Sequence, residues 1–145
     1  MNRLLAALTL LAVSACATPS ESQLDAEVRR LCAIDGGIKV YETVTLPVEK
    51  SDNSGNVRIP AKNNASLTDE YYYDRAQVVL ISGDPQMTKT IHKIVRRSDG
   101  KVLGTSVRCG RGGGDLAGPW HPSSFMCPAI SNDTPSIESS VFLKK

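Results

Sequence analysis

The apolar run Leu4–Val13 is the feature that most limits what this chain can form. The run has no charged side chain, Thr9 is its polar exception, and Arg3 places a positive charge before it. A run of about ten residues has the length of a signal-peptide core, whereas a membrane-spanning helix needs about twenty apolar residues. No other segment comes near this length. We therefore predict a signal peptide over residues 1–15, no transmembrane helix, and a folded domain in the remainder.

The segment Val13-Ser14-Ala15-Cys16 ends this run with an aliphatic residue, two small residues and a cysteine. This order resembles the lipobox of bacterial lipoproteins. The resemblance implies that the Cys16 thiol receives a diacylglyceryl group and that a peptidase cuts before Cys16. It also implies that the new amino group is acylated, commonly with palmitate. The alternative is an ordinary signal peptide that is cut at a small-residue site, with Cys16 incidental.

The resemblance also implies a location. One acyl chain binds a membrane only marginally, but a diacylglyceryl group supplies the two chains that stable anchoring needs. Ala17 is the second residue of the mature chain in this interpretation, and the absence of aspartate there resembles lipoproteins of the outer membrane. We expect a lipid-anchored protein of the bacterial cell envelope, in the outer membrane and periplasm, with residues 16–23 as a lipidated tether. The body is similar to short uncharacterised proteobacterial lipoproteins.

Residues 24–145 are long enough to form a single globular domain with its own core. Aromatic residues make up 5% of the chain, so the core must be mainly aliphatic. The formal net charge is +2, and this near-neutral balance argues against nucleic acid as a partner. We predict an α+β fold with an N-terminal helix packed on a small, mainly antiparallel sheet, and with long polar loops.

Hydrophobic periodicity predicts the main elements. Apolar residues recur at helical spacing behind a capping Ser22, at Leu24, Val28, Leu31 and Cys32. Apolar patterns predict three further segments as strands, Ile38–Leu46, a buried Gln77–Ser82 and Ile137–Leu143.

Asp99-Gly100 is a strong signal for a β-hairpin between Thr88–Arg97 and Lys101–Cys109. A two-residue turn places Ile94 opposite Thr105. In this register neither face of the hairpin is uniformly apolar, which indicates a β-bulge or a position in a sheet that is covered on both faces.

The hairpin also carries most of a basic region that only Asp99 opposes. The functional interpretation is contact with anionic headgroups, lipopolysaccharide or an acidic protein. The structural alternative, which we favour, is a charged sheet edge that faces water. The members of this region are Lys89, Lys93, Arg96, Arg97, Lys101, Arg108 and Arg111.

Three cysteines remain once Cys16 is assigned to lipid. Because an exported chain meets an oxidising compartment, we predict one disulfide bond and one unpaired thiol. The favoured pair is Cys109–Cys127, which would fasten the glycine-rich segment between them and contribute on the order of 3 kcal/mol. Cys32 is the rival partner. The cysteines and histidines lack the regular spacing of a zinc site, so no metal and no cofactor is predicted.

Tyr71, Tyr72 and Tyr73 form a candidate recognition patch, since tyrosine provides rigid amphipathic contact area. The alternative is that one or two of these rings pack against the sheet.

Three classes of function remain. We favour an envelope lipoprotein with a structural or accessory role, which is not an enzyme and attaches to the membrane through Cys16. The second class is a binding module with an envelope protein as its partner, such as an enzyme-inhibitor or exclusion lipoprotein. The third class is a small envelope hydrolase that uses Glu42, or Cys127 together with His121.

Overall fold

The computed structural model of the protein describes residues 19–51, 57–115, 123–129, 131 and 134–144. Cys16, the signal peptide and His121 lie outside the described residues. No helix in the described part of the chain is long and apolar enough to cross a membrane.

One long helix packs against a mainly antiparallel sheet, which confirms an α+β fold. In chain order the elements are α1 Glu21–Asp35, β1 Gly37–Val40, β2 Val44–Leu46, a 3-10 turn Val48–Lys50, β3 Tyr71–Ile81, β4 Gln86–Arg96, β5 Val102–Gly112, β6 Ser124–Cys127, α2 Ile137–Val141 and β7 Phe142–Lys144. The main sheet has the strand order β1-β5-β4-β3, and β6 continues alongside β5. A parallel pair, β2 and β7, forms a second sheet.

Helix α1 begins two residues before the position that the sequence indicated. Its N-cap is Ser20, whose side chain accepts a hydrogen bond from the Gln23 backbone N–H, 3.4 Å away. The Gln23 side chain accepts in return from the Ser20 N–H at 2.9 Å. A cap at Ser22 would need Asp25, three residues later, to reach back to it. The Gln23 side chain is longer and reaches the cap at Ser20 more easily. The predicted apolar stripe is confirmed, because Leu24 and Val28 are both buried.

The predicted strand Ile38–Leu46 is wrong as one element, because the chain leaves the main sheet in its middle. The N–H groups of Tyr41 and Glu42 both donate to the carbonyl of Leu103, at 2.8 and 3.0 Å. This double contact ends the pairing of β1 with β5. The next residues pair instead with β7, so Glu42 lies in a connection between two sheets.

The predicted final strand Ile137–Leu143 is also wrong in its first five residues, which form the short helix α2. Ile137 and Val141 lie four residues apart and are both buried, as one face of a helix requires. The Ser136 side chain caps the helix by accepting from the Ser139 N–H at 3.1 Å. Only its last two residues, Phe142 and Leu143, belong to β7, which extends to Lys144.

The hairpin of β4 and β5 is present, but its predicted register is wrong by one residue. Ile94 lies opposite Gly104 instead of Thr105. The turn is wider than two residues, since the Arg96 carbonyl accepts from the Gly100 N–H at 2.9 Å. A one-residue shift moves every side chain to the opposite face of a strand. The predicted bulge is confirmed, as the register shifts between Ile94 and Val95.

The main sheet buries apolar residues on both of its faces. On one face, Ile94 and Leu103 pack with Ile137, Val141 and Phe142 of α2 and β7. We call this the α2 face. On the other face, Met87 and Cys109 pack with Val28 of α1, and we call this the α1 face. The two helices therefore cover opposite faces of the main sheet.

The segment Gln77–Ser82 is predicted as a buried strand, and the prediction of burial is wrong. Most of it belongs to β3, the last strand in the order, where the described residues place β4 on one side and no strand on the other. The exposed fractions are 45% for Val78, 54% for Val79 and 39% for Leu80. An apolar run predicts a strand both in the centre and at the edge of a sheet. Only the order in which the strands pair decides which of the two positions the strand takes.

Candidate functional site

Cys32 of α1 and Cys127 of β6 form the disulfide bond, with a Cα–Cα distance of 5.9 Å. The prediction that a disulfide forms is confirmed, but the favoured Cys109–Cys127 pairing is wrong. Cys109 and Cys127 do lie opposite each other in the ladder of β5 and β6. Side chains of a sheet stand roughly perpendicular to it, so Cys127 extends toward the helix above and not toward the neighbouring strand.

Cys109 is the unpaired thiol, and it is 1% exposed beneath α1. Burial raises the pKa of the Cys109 thiol, with a smaller opposing effect from Lys89. The thiol is therefore protonated at neutral pH and serves as a small apolar side chain of the core. Because Cys127 is bonded to Cys32, Cys127 also has no thiolate to act as a nucleophile.

A buried arginine on β5 forms a polar centre that the sequence interpretation missed. Arg111 is 5% exposed, and its Nε donates to the Asp25 carboxylate of α1 at 2.6 Å. Its Nη1 donates to the Gly113 carbonyl at 2.5 Å and to the Ser123 hydroxyl at 2.9 Å. Glu21 lies 3.7 Å from Nη2. These contacts join the helix to both ends of the β5–β6 connection, which is a structural role.

The sequence signal for this centre is the spacing of two acidic residues on α1. Glu21 and Asp25 are four residues apart, so they lie on one face of the helix. The sequence does not show that Arg111 reaches them, since 86 residues separate it from Asp25.

Most of the predicted basic region is neutralised within the domain. Ion pairs with acidic side chains hold Lys89 with Asp35, Arg96 with Glu42 and Asp99, Lys101 with Glu42, and Arg111 with Asp25 and Glu21. The Arg97 guanidinium donates to the Asp69 carbonyl at 2.9 Å and lies 5.3 Å from the Tyr72 ring centre. Four of the seven basic residues are thus paired with acids inside the domain, which favours the structural interpretation for that part of the region.

Glu42 lies between two cations that favour its charged form. Arg96 bonds to one of its oxygens, and the Lys101 ammonium lies 2.6 Å from the other. The hydrogen bond from Lys101 lowers the pKa of Glu42, with burial acting in the opposite direction. A general acid needs a raised pKa, so these contacts favour a salt-bridged glutamate over a catalytic acid.

The three adjacent tyrosines divide between the two faces of the sheet. Tyr71 packs edge-on against Phe142, with ring centres 5.1 Å apart, and Tyr73 packs on the same cluster. Tyr72 lies on the opposite face beneath Arg97. All three are half-buried, so the rings pack against the sheet and keep an exposed part. Their role in recognition stays a prediction.

Tyr73 and His92 share a hydrogen bond between the hydroxyl and Nδ1. Burial raises the pKa of Tyr73 to about 12. Burial also lowers the pKa of His92, and the charges of Arg75 and Arg108 lower it further. Both groups are uncharged at neutral pH, so the pair links β3 to β4 without carrying a charge.

Two grooves lie on either side of the segment that leads into β3. A cavity of about 340 Å³ lies between this segment and Leu46 and Ile59. A second cavity of about 330 Å³ lies on the other side, against Arg96 and Arg97. Both are lined by the residues from Thr68 to Tyr71. We call residues Thr68–Tyr73 the tyrosine segment. The two grooves give the first part of this segment an accessible surface with apolar, acidic and basic groups.

Among the residues that the structure describes, no three His, Cys, Asp or Glu side chains come together to hold a metal ion. Comparisons with protein-family models, with curated proteins and with solved structures gave no match. The function has therefore to be inferred from the residues of this chain.

Proposed function

We propose that this chain is a lipid-anchored protein of the bacterial envelope with a non-enzymatic structural or accessory role. The observation that carries the proposal is Val13-Ser14-Ala15-Cys16 at the end of the apolar run Leu4–Val13. In this proposal residues 1–15 are removed, Cys16 carries the lipid, and the anchor lies in the outer membrane.

Two features of the described domain support this proposal. A disulfide between Cys32 and Cys127 suits an oxidising compartment such as the periplasm. Helix α1 begins at Glu21, five residues after Cys16, so the tether spans about 17 Å at most when extended. The domain would then lie close to the membrane surface, with α1 as the N-terminal helix of the mature protein.

The test is metabolic labelling with a radioactive or clickable fatty acid. The wild-type chain should incorporate the label, and Cys16→Ser should lose it and stay unprocessed or unanchored. Cys109→Ser is the matched control, because it removes another cysteine that is buried in the folded domain. Continued labelling of Cys16→Ser, or no labelling of the wild-type chain, would refute the lipid anchor.

A binding module is the second candidate, and the two grooves beside Thr68–Tyr71 favour it. An envelope protein would contact the exposed edge of the tyrosine segment. Tyr72→Ala is the informative change. Tyr72 does not line a groove itself, but its ring centre lies 5.3 Å from the guanidinium of Arg97, which lines the second groove, whereas Tyr71 and Tyr73 pack on the apolar cluster of the α2 face. Tyr41→Ala is the control, because Tyr41 is 61% exposed and lines neither groove.

The experiment is affinity capture from an envelope extract with the wild-type chain and both variants. A partner that binds the wild-type chain and Tyr41→Ala, but not Tyr72→Ala, supports the binding module. Identical captures by all three proteins would remove the tyrosine segment from consideration.

A further inference from the structure

Strand β3 has an outer edge that is unpaired over most of its length, as far as the described residues show. Lys62 donates its N–H to the carbonyl of Tyr73 at 2.9 Å, and Tyr73 donates to the carbonyl of Pro60 at 2.8 Å. The backbone groups of Tyr73 therefore point away from β4. In an antiparallel ladder this orientation alternates along the strand.

The same alternation places the N–H and C=O groups of Arg75, Gln77 and Val79 on the outer edge. The ladder with β4 is regular through Val79 and shifts only after it. No described backbone hydrogen bond satisfies these three outward-facing residues from another segment. Edge strands are normally protected by a charge, a proline, a β-bulge or a covering segment. From Ala76 to Val79 this strand has no charge, no proline and no bulge, since its register with β4 shifts only between Val79 and Ile81.

We propose that this edge pairs with the same edge of a second copy of the chain, antiparallel, with Gln77 on the two-fold axis. The outward-facing residues are symmetric about Gln77, so each copy satisfies the other. Gln77 pairs with the partner copy's Gln77, and Arg75 pairs with Val79 in both directions. The two main sheets then continue as one sheet across the interface.

The side chains of this register are compatible on both faces of the sheet. On the α2 face, Val79 covers the apolar stem of the opposing Arg75, and the two Gln77 amides meet. On the α1 face, Val78 packs against the opposing Ala76. Arg75 is the only charged residue of the paired segment Arg75–Val79. In this register it lies opposite Val79, and not opposite the Arg75 of the second copy. The self-pairing therefore brings no like charges together.

The same register explains why exposed apolar side chains are concentrated here. Val78, Val79 and Leu80 are consecutive and are each more than one third exposed. Strand pairing across the two-fold axis covers the first two. A symmetric interface of this kind is isologous and closes at a dimer.

The test uses the full chain, purified from cells in a mild detergent, in sedimentation equilibrium. The wild-type chain should form dimers. The two-fold axis creates two equivalent contacts between residue 79 of one copy and Arg75 of the other. Val79→Lys places a lysine opposite an arginine in both contacts, so it should weaken the dimer about tenfold. Val79→Glu places an acid there instead, so it should retain the dimer. A partner that merely covers an apolar patch would be lost equally with either charge.

Covalent capture checks the register itself. Opposed residues in such a pair have Cα atoms about 5.5 Å apart, which is within the range of a disulfide bond. Gln77→Cys should therefore give a disulfide-linked dimer on mild oxidation. Gln86→Cys, exposed at the start of β4, is the control and should not.

The results separate the alternatives. A monomeric wild-type chain, equal weakening by Val79→Lys and Val79→Glu, or no cross-linking excess for Gln77→Cys each overturns the proposal. Cross-linking of Gln77→Cys to a different protein, with no dimer of the chain, overturns it too and assigns the edge to that protein.

Discussion

The two sides of the main sheet are built on different principles. On the side of β5 and β6, helix α1 is tied down by a disulfide to Cys127 and by the ion pairs of Arg111. On the side of β3, the described residues supply one strand partner, and consecutive valines face solvent. The first side depends on contacts within the chain, and the second depends on few contacts beyond its ladder with β4.

This difference predicts that the two sides of the sheet have different roles, the α1 side in stability and the β3 edge in association. Cross-links and paired charges fix the position of α1, so substitutions there should lower the free energy of unfolding. The β3 edge contributes little buried area, so substitutions there should affect association and leave folding nearly unchanged. Four predictions test this contrast, from the largest expected effect to the smallest.

Removing the disulfide should have the largest effect. The bond closes a loop between residues 95 positions apart. The double variant Cys32→Ala, Cys127→Ala should lose about 2–5 kcal/mol of unfolding free energy, measured by urea denaturation. The wild-type chain unfolded in the presence of dithiothreitol should show the same midpoint as the double variant. Coincident curves for the oxidised wild-type chain and the double variant would contradict this prediction.

Arg111→Met should lower the unfolding free energy by about 3 kcal/mol, because Asp25 then keeps a half-buried charge without its partner. Adding Asp25→Asn should restore part of the loss. Arg108→Met is the matched control, since it removes the same charge from the opposite face of β5, and it should change stability by at most about 0.5 kcal/mol. Equal effects of the two arginine variants would mean that the polar centre does not hold α1.

Lowering the pH below 6.5 should weaken the fold through His92. Burial and two nearby arginines lower the pKa of His92 in the folded state, so the unfolded chain takes up the proton first. The stability that comes from keeping His92 neutral is therefore fully present above the pKa that His92 has in the unfolded chain. It is lost as the pH falls through the lower pKa of the folded chain. The lowered pKa of Glu42 acts only at lower pH, below its ordinary 4.5.

The measurement for His92 is the melting temperature of the wild-type chain and of His92→Gln at pH 7.5 and pH 5.5. The wild-type chain should lose more stability between these two values than the variant does. An identical decrease in both proteins would assign the pH dependence to other groups.

The smallest effect should come from the β3 edge. Val78→Thr should change unfolding free energy by at most about 0.5 kcal/mol when the chain is diluted to a monomer. Ile94→Val, a change of one methyl group in the buried neighbour strand, should cost about 1 kcal/mol. Differential scanning fluorimetry compares the two directly. A larger loss for Val78→Thr would mean that the edge is covered within one chain.

Local patterns were enough for the helix, the hairpin and the existence of a disulfide. The spacing of Leu24 and Val28 identifies a helix face, and Asp99-Gly100 identifies a turn, because both signals act between near neighbours. The odd number of cysteines after Cys16 correctly indicated one bond and one unpaired thiol among Cys32, Cys109 and Cys127.

Long-range pairing could not be read in the same way. Cys109 and Cys127 do meet across β5 and β6, yet the bond goes to Cys32, which α1 brings over the sheet. The partners of Arg111 lie 86 and 90 positions away along the chain. These choices depend on how elements pack, which no local period encodes.

The sequence by itself determined the α+β class, the helix face, the turn at Asp99-Gly100 and the expectation of a lipid anchor at Cys16. Each depends on residues a few positions apart, where backbone geometry fixes which side chains meet. Only the tertiary structure decided that the apolar segment of β3 lies at the edge of the sheet. The reason is that an apolar run specifies a strand, while the order of the strands specifies what remains uncovered.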